Sequence, residues 1–188
     1  MDEFLAEQPR RYVMQEGCVT PEQRDFFIDF LAKHPNVSNI LEIGFNGGCS
    51  SATLLGCNDS IRVTSVDIGV HSYVPVAKQL IDEVFPFKHT LLIGDSRIAV
   101  PMLKQMNVKY DMIFVDGGHI APIPDIDLRN VHALLRDGGW IVMDDYCVQY
   151  GSHGVIQAWD NAVRKGLYTQ VSVHEAEDRG WVLGVKGI

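Results

Sequence analysis

Five times between Asn39 and Lys165 the sequence repeats one unit: a short run rich in Val, Ile and Leu, a turn with Gly or Asp, then a helical stretch. Parallel strands need long crossovers, and the helices in those crossovers must bury an apolar face on the sheet, so this alternation predicts a parallel sheet covered by helices. Strands are expected at Asn39–Ile43, Arg62–Asp67, His89–Ile93, Tyr110–Val115 and Trp140–Met143, each ending in, or followed directly by, a small or acidic residue. Helices are expected at Cys49–Leu55, Val74–Val84, Ile98–Met106, Asp125–Leu135 and Val155–Lys165.

Two segments depart from the repeat. Ahead of the first strand, "TPEQRDFFIDFLAKH" offers Thr20 as an N-cap, Pro21 at the first helical position and Gln23 as the reciprocal partner of a capping box. After the last helix, "YTQVSVHEAEDRGWVLGVKG" places two β-rich runs around a polar turn, Glu175 to Arg179, with no helix between them. That pattern predicts an antiparallel hairpin at one edge of an otherwise parallel sheet.

With 188 residues and no linker or low-complexity tract, the chain is expected to form a single domain over residues 1–188, with a helical extension at 1–37 and a core at 38–188. The formal net charge of -8 argues against a general nucleic-acid surface or an anionic membrane surface, since both need clustered Lys and Arg. Cys18, Cys49, Cys57 and Cys147 form no CxxC pair and read as free thiols of a reducing compartment, Cys49 and Cys147 as inert ones because no His arrangement beside them suggests a nucleophile. The acidic start "MDEFLAEQPRR" lacks the features of a secretory signal, and no run is long enough to span a membrane, so a cytoplasmic location is expected. The N-terminal 20 residues read either as a lid or as an oligomer contact.

The first candidate site is "LEIGFNGGCS", where a strand ending in Glu42 turns through Gly44, Gly47 and Gly48 into a helix. Such a turn lets a ligand approach the backbone closely. A dinucleotide fingerprint would need glycine at Asn46 and Cys49, and no GK[ST] follows, so NAD and a P-loop are both disfavoured. Asp67 ends the next strand, where an acid accepts hydrogen bonds from ribose hydroxyls. Asp95 and Ser96 end the third, bringing three polar strand ends to one crevice.

The second candidate site pairs "YDMIFVDGGH" with "GGWIVMDDYC" on the following strand. Asp116, Asp144 and Asp145 would reach the same end of the sheet, and clustered carboxylates repel unless a cation lies between them. An all-oxygen set suits Mg²⁺ or Mn²⁺ better than zinc. His119, three residues past Asp116, is placed to take a proton from a bound hydroxyl near neutral pH. Aromatic and polar groups at Tyr146, Tyr150 and His153, with His71 on a loop facing the same cleft, are candidates for acceptor contact.

From Asn39 to the C-terminus, the E-x-G-x-x-G-G loop, the acid ending the second strand, the G-D-S after the third and the terminal hairpin together resemble class I S-adenosylmethionine-dependent methyltransferases. The resemblance implies a Rossmann-like, doubly wound, mostly parallel seven-stranded sheet. It implies that Glu42, Gly44 and Gly48 border the methionine part of the cofactor, that Phe45, Asn46 and Ser50 join them, that Asp67 meets the ribose, and that Asp95 and Ser96 meet the adenine end. Within the superfamily, D-x-x-H and D-D-Y resemble the metal-dependent macrocin and mycinamicin sugar O-methyltransferases. That likeness implies Asp116, Asp144 and Asp145 as Mg²⁺ ligands, Asp116 also touching the cofactor, and His119 as general base. Catechol O-methyltransferase has Asn where Asp145 stands and a lysine base that this sequence lacks near Asp116.

The expected function is O-methylation of a small molecule, favouring a sugar or glycoside hydroxyl. The alternatives are a catechol-type enzyme, a metal-independent enzyme, and a non-catalytic cofactor-binding subunit.

Overall fold

Thr20 opens the first helix with its Oγ1 accepting a hydrogen bond from the Gln23 amide at 3.2 Å, while Pro21, which lacks an amide hydrogen, takes the first helical position. The computed structural model describes residues 18–147, 153–176 and 179–187. Its elements, in chain order, are α1 (Pro21–Lys33), β1 (Asn39–Ile43), α2 (Cys49–Cys57), β2 (Arg62–Asp67), α3 (Val74–Val84), β3 (His89–Ile93), α4 (Ser96–Gln105), β4 (Tyr110–Val115), α5 (Ile123–His132), β5 (Leu135–Met143), α6 (His153–Arg164), β6 (Thr169–Glu175) and β7 (Gly180–Val185).

The seven strands form one sheet in the order β3-β2-β1-β4-β5-β7-β6. Pairs from β3 through β5 are parallel, and β7 runs antiparallel to both β5 and β6. This is the Rossmann-like, mostly parallel sheet with a C-terminal hairpin expected from the sequence. Strand order reverses direction between β1 and β4, so the loops leaving those two strands diverge and open a crevice at the carboxyl edge.

Alternate side chains of each strand enter opposite cores. Leu41, Ile43, Val66, Ile113, Val115, Ile141 and Met143 pack with α4, α5 and α6 through Val100, Leu103, Leu128, Val131 and Trp159. Ile40, Val63, Met112, Phe114 and Val142 pack with α1, α2 and α3 through Phe27, Phe30, Leu54, Leu55 and Ile81. The strand ends are thereby fixed from both sides, which is what holds the site. No helix among the described residues is long and apolar enough to cross a membrane.

Several boundaries differ from those expected. The helix expected at Asp125–Leu135 runs over Ile123–His132, and β5 starts at Leu135, not Trp140. α2, α4 and α6 differ from their expected ends by one or two residues. "LRDGG" looks like a turn because Arg136, Asp137 and Gly138 are exposed, yet Leu135 still pairs with Tyr110 across a register shift. The capping box is half made: the Gln23 side chain leaves the helix end and reaches Asp144.

Candidate functional site

The loop after β1 is shaped by contacts that exclude side chains. A Cβ on Gly44, at φ +95°, would stand 1.9 Å from the Asp116 carbonyl oxygen, so only glycine lets the β1 and β4 strand ends close on each other. Asp67 fastens the same loop: its carboxylate accepts from the amides of Phe45 at 3.0 Å, Asn46 at 2.8 Å and Gly69 at 2.7 Å. A cavity of about 290 Å³ opens beside it, lined among others by Gly44, Asn46, Asp67, His71, Asp95 and Asp116.

The loop residues divide between cavity and core. Gly44, Asn46, Asp67, Asp95, Ser96 and Asp116 line the cavity; Glu42, Phe45, Gly48 and Ser50 do not. Glu42 is fully buried and accepts hydrogen bonds from Ser50, Ser51 and Ser65 at 2.5 Å each. Burial raises its pKa, and the three hydroxyls oppose that rise. Phe45 turns inward beneath Gly48, its ring 5.0 Å from that of His89. These four residues brace the loop from below; a motif read one residue at a time does not reveal which side chains face in.

At the far end of the cavity Asp95 caps α4 and is bound by the Arg97 guanidinium, which holds its pKa down at about 2. Ser96 donates to Asp127 Oδ1 at 2.7 Å. Asp127 is buried and its Oδ2 lacks a hydrogen-bond partner, so burial pushes its pKa up to about 6. The sequence reading did not single out Asp127, because an acid on an amphipathic helix looks like a solvated residue.

β4 and β5 deliver the acids. Asp116, His119 and Asp145 offer ligand atoms that lie within 4.8 Å of one another. His119 Nε2 donates to Asp145 Oδ2 at 2.6 Å and stands 4.0 Å from Asp116 Oδ1. The hydrogen bond to Asp145 is the main reason the His119 pKa is raised. Asp145 sits at φ +56°, a conformation that costs energy for a residue with a Cβ and that clusters at functional sites.

Asp144 is nearby but differently held. Its Oδ1 accepts from Gln23 Nε2 at 2.7 Å, and burial followed by the Asp145 charge pushes its pKa up to about 7. Asp116 is held well above the usual carboxylate range by burial, then by Asp144 and Asp145. Arg179, just before β7, contributes an opposing positive charge to both. Gln23 and Arg179 are functional neighbours that sequence reasoning missed, since each is more than 30 positions from its acid.

Three acceptor-contact candidates are placed as follows. His71 lines the cavity with its ring stacked on Tyr73 at 4.9 Å. Tyr146 turns away, its hydroxyl donating to Asp160 on α6 at 3.1 Å. His153 is exposed at the start of α6, next to Gly154, which packs so tightly on the His119 carbonyl that a Cβ would stand 2.6 Å away. Tyr150 lies outside the described residues.

A family model described as a methyltransferase domain matches residues 41–146, more than half of the chain. No curated protein sequence matches it. Among solved structures, an O-methyltransferase from Bacillus cereus in complex with SAH is similar at TM-score 0.76 and 18% identity, over 98% of this chain and 89% of that one. The O-methyltransferase TomG from Streptomyces achromogenes, solved in complex with SAM, is similar at TM-score 0.76 and 21% identity, over 95% and 86%. CalS11, a TDP-rhamnose 3'-O-methyltransferase of calicheamicin biosynthesis, is similar at TM-score 0.67 and 16% identity, over 87% and 80%.

Proposed function

The chain belongs to the methyltransferase domain family, and from that membership we propose that it is an S-adenosylmethionine-dependent O-methyltransferase acting on a hydroxyl of a small molecule. The observation that carries the reading is the position of Asp116: it lines the cavity and also belongs to the cluster with His119 and Asp145. A methyl donor in the cavity and a hydroxyl at the cluster would meet there. Two of the similar structures contain SAM or SAH.

Asp67, with its carboxylate already anchoring the loop, would accept from a ribose hydroxyl with a remaining lone pair. Gly44 and Asn46 would offer backbone for the methionine portion, and Asp95 and Ser96 would border the adenine portion. In the neutral ring with Nε2–H donated to Asp145, Nδ1 carries the lone pair, so proton acceptance from the acceptor hydroxyl is assigned to Nδ1 of His119. Asp145 fixes that tautomer and stabilises the imidazolium that results, the base-and-orienter arrangement used in other proton transfers. The oxyanion so formed would take the sulfonium methyl in line as its S–C bond breaks, leaving the thioether S-adenosylhomocysteine, and positioning would supply much of the acceleration.

The donor set fits a hard divalent cation. Asp116, which is partly buried, and Asp144, which is buried, have pKa values that rise partly because neighbouring acids repel them, and a cation held by Asp116, Asp145 and Asp144 would relieve that repulsion. Mg²⁺ or Mn²⁺ there would supply Lewis acidity that lowers the pKa of an acceptor hydroxyl. A sugar or glycoside acceptor is supported by the D-x-x-H and D-D-Y motifs and by the similarity to a TDP-rhamnose methyltransferase. A second reading is metal-independent transfer, favoured by the His119–Asp145 pair, which is a complete proton-accepting unit by itself.

The test is methyl transfer from S-adenosylmethionine to a panel of sugars, glycosides and catechols, with Mg²⁺ or with EDTA. We expect turnover of a sugar or glycoside that EDTA abolishes. His119→Ala should lower it by roughly 10²–10⁴-fold with cofactor binding retained. Turnover that survives EDTA but needs His119 would select the metal-independent reading, and full activity of His119→Ala would overturn both.

A further inference from the structure

Cys18 lies two residues before the N-cap of α1, and Cys49 is the first residue of α2, directly after the glycine loop. Their Sγ atoms are 3.1 Å apart, across 31 positions of sequence. Both residues are partly exposed, so a small oxidant has access. Arg179 Nη1 donates to the Cys18 carbonyl at 3.0 Å, which keeps the guanidinium beside this segment. The hydrogen bond with Cys49 and the positive charge of Arg179 bring the Cys18 thiol down to about 7, whereas Cys49, which shares that bond and is more buried, is raised. The pair is thus asymmetric: one thiol readily ionised, the other held as its proton-bearing neighbour.

We propose that Cys18 and Cys49 are a redox-active pair, converted by hydrogen peroxide or an organic hydroperoxide into a disulfide that ties the segment leading into α1 to the loop at the cofactor cavity. The Cys18 thiolate attacks the peroxide oxygen, breaking the O–O bond and giving a sulfenic acid, with hydroxide or alkoxide as the leaving group. The Cys49 sulfur then attacks the Cys18 sulfur, forming the S–S bond and expelling hydroxide. The Cys49 proton and one from solvent complete two molecules of water, or of water and alcohol. Two thiols are oxidised by two electrons in all, and the peroxide is reduced by two.

Cys57 provides an internal control. Cys57 Sγ donates to the Thr53 carbonyl at 3.1 Å within its own helix, and burial raises its pKa to about 11. It is a poor nucleophile by the same criterion that makes Cys18 a good one.

The experiment treats the full chain with a small excess of hydrogen peroxide, then counts thiols after denaturation and maps cross-links by mass spectrometry, using Cys57→Ser so that the Cys49 peptide carries one cysteine. We expect loss of two thiols, a Cys18–Cys49 link within one chain, a melting temperature several degrees higher, and full reversal by dithiothreitol. In Cys49→Ser, where no second thiol resolves it, Cys18 should be trapped as a dimedone adduct. Persistence of all thiols, a link to Cys147 or between chains, or the absence of a dimedone adduct at Cys18 would overturn the proposal. It rests on these two thiols alone and stands independently of methyl transfer.

Discussion

A Cβ at position 44 has nowhere to go, because the Asp116 carbonyl fills the space 1.9 Å away and the backbone stands at φ +95°. Gly44→Ala should therefore lose about 3 kcal/mol or more of stability, since backbone atoms on both sides must separate, and cofactor binding should fall with it; urea unfolding and calorimetric titration measure the two. The glycine was legible as a turn residue, but the reason it must be glycine is a strand 72 positions away. Asp127 was not legible at all. Its pKa of about 6 against an ordinary 3.8 means that the folded protein carries a buried charge at neutral pH and binds a proton before the unfolded chain does. Stability from this group accordingly rises as pH falls from 6 toward 3.8 and is lowest above pH 6. Asp127→Asn should be more stable than the natural chain at pH 8, by up to about 3 kcal/mol for two pKa units. The difference should close as pH falls toward 4, which melting temperatures across that range would show.

Secondary structure was most legible where one periodicity served one face. β1 through β4 carry the expected limits because each is a short run rich in Val, Ile and Leu stopped by a Gly or Asp, even β3, which lies at the sheet edge and is partly exposed. α5 and β5 were misjudged at their junction, where Arg136, Asp137 and two glycines carry no apolar signal and pairing alone makes a strand. α1 shows a residue with two readings: Gln23 fits a capping box in sequence, yet its side chain is buried and spends its amide on Asp144. Gln23→Leu should cost about 2 kcal/mol because a buried carboxylate loses its donor, whereas Thr20→Ala, which removes only the cap, should cost about 1 kcal/mol. Chemical denaturation of both variants would separate the two roles. A conventional cap with no tie to the site would give equal losses.

At the scale of the whole molecule, the order β3-β2-β1-β4-β5-β7-β6 explains why so much of the site was foreseeable. Parallel strands place all their carboxyl ends on one edge, so an acid ending one strand is near those that end its neighbours in the sheet. What sequence could not supply was the pairing within that edge: which acid faces His119, which faces Gln23, and how Cys18 comes to lie against Cys49. Those depend on loops whose paths are set by packing rather than by period. The same topology puts β7 inside the sheet, between β5 and β6, with Val182 fully buried and Trp181 and Leu183 nearly so. A chain shortened at residue 179 should therefore lose cooperative unfolding altogether, because it opens the sheet at β5 and leaves β6 with no neighbour. Loss of only a fraying edge would contradict this. During synthesis, when chains fold from the N-terminus onward, β7 is made after β6 yet is the strand that lets β6 join β5. A ribosome-held chain ending near residue 175 would keep its β5 edge open to proteases and chaperones until β7 emerges.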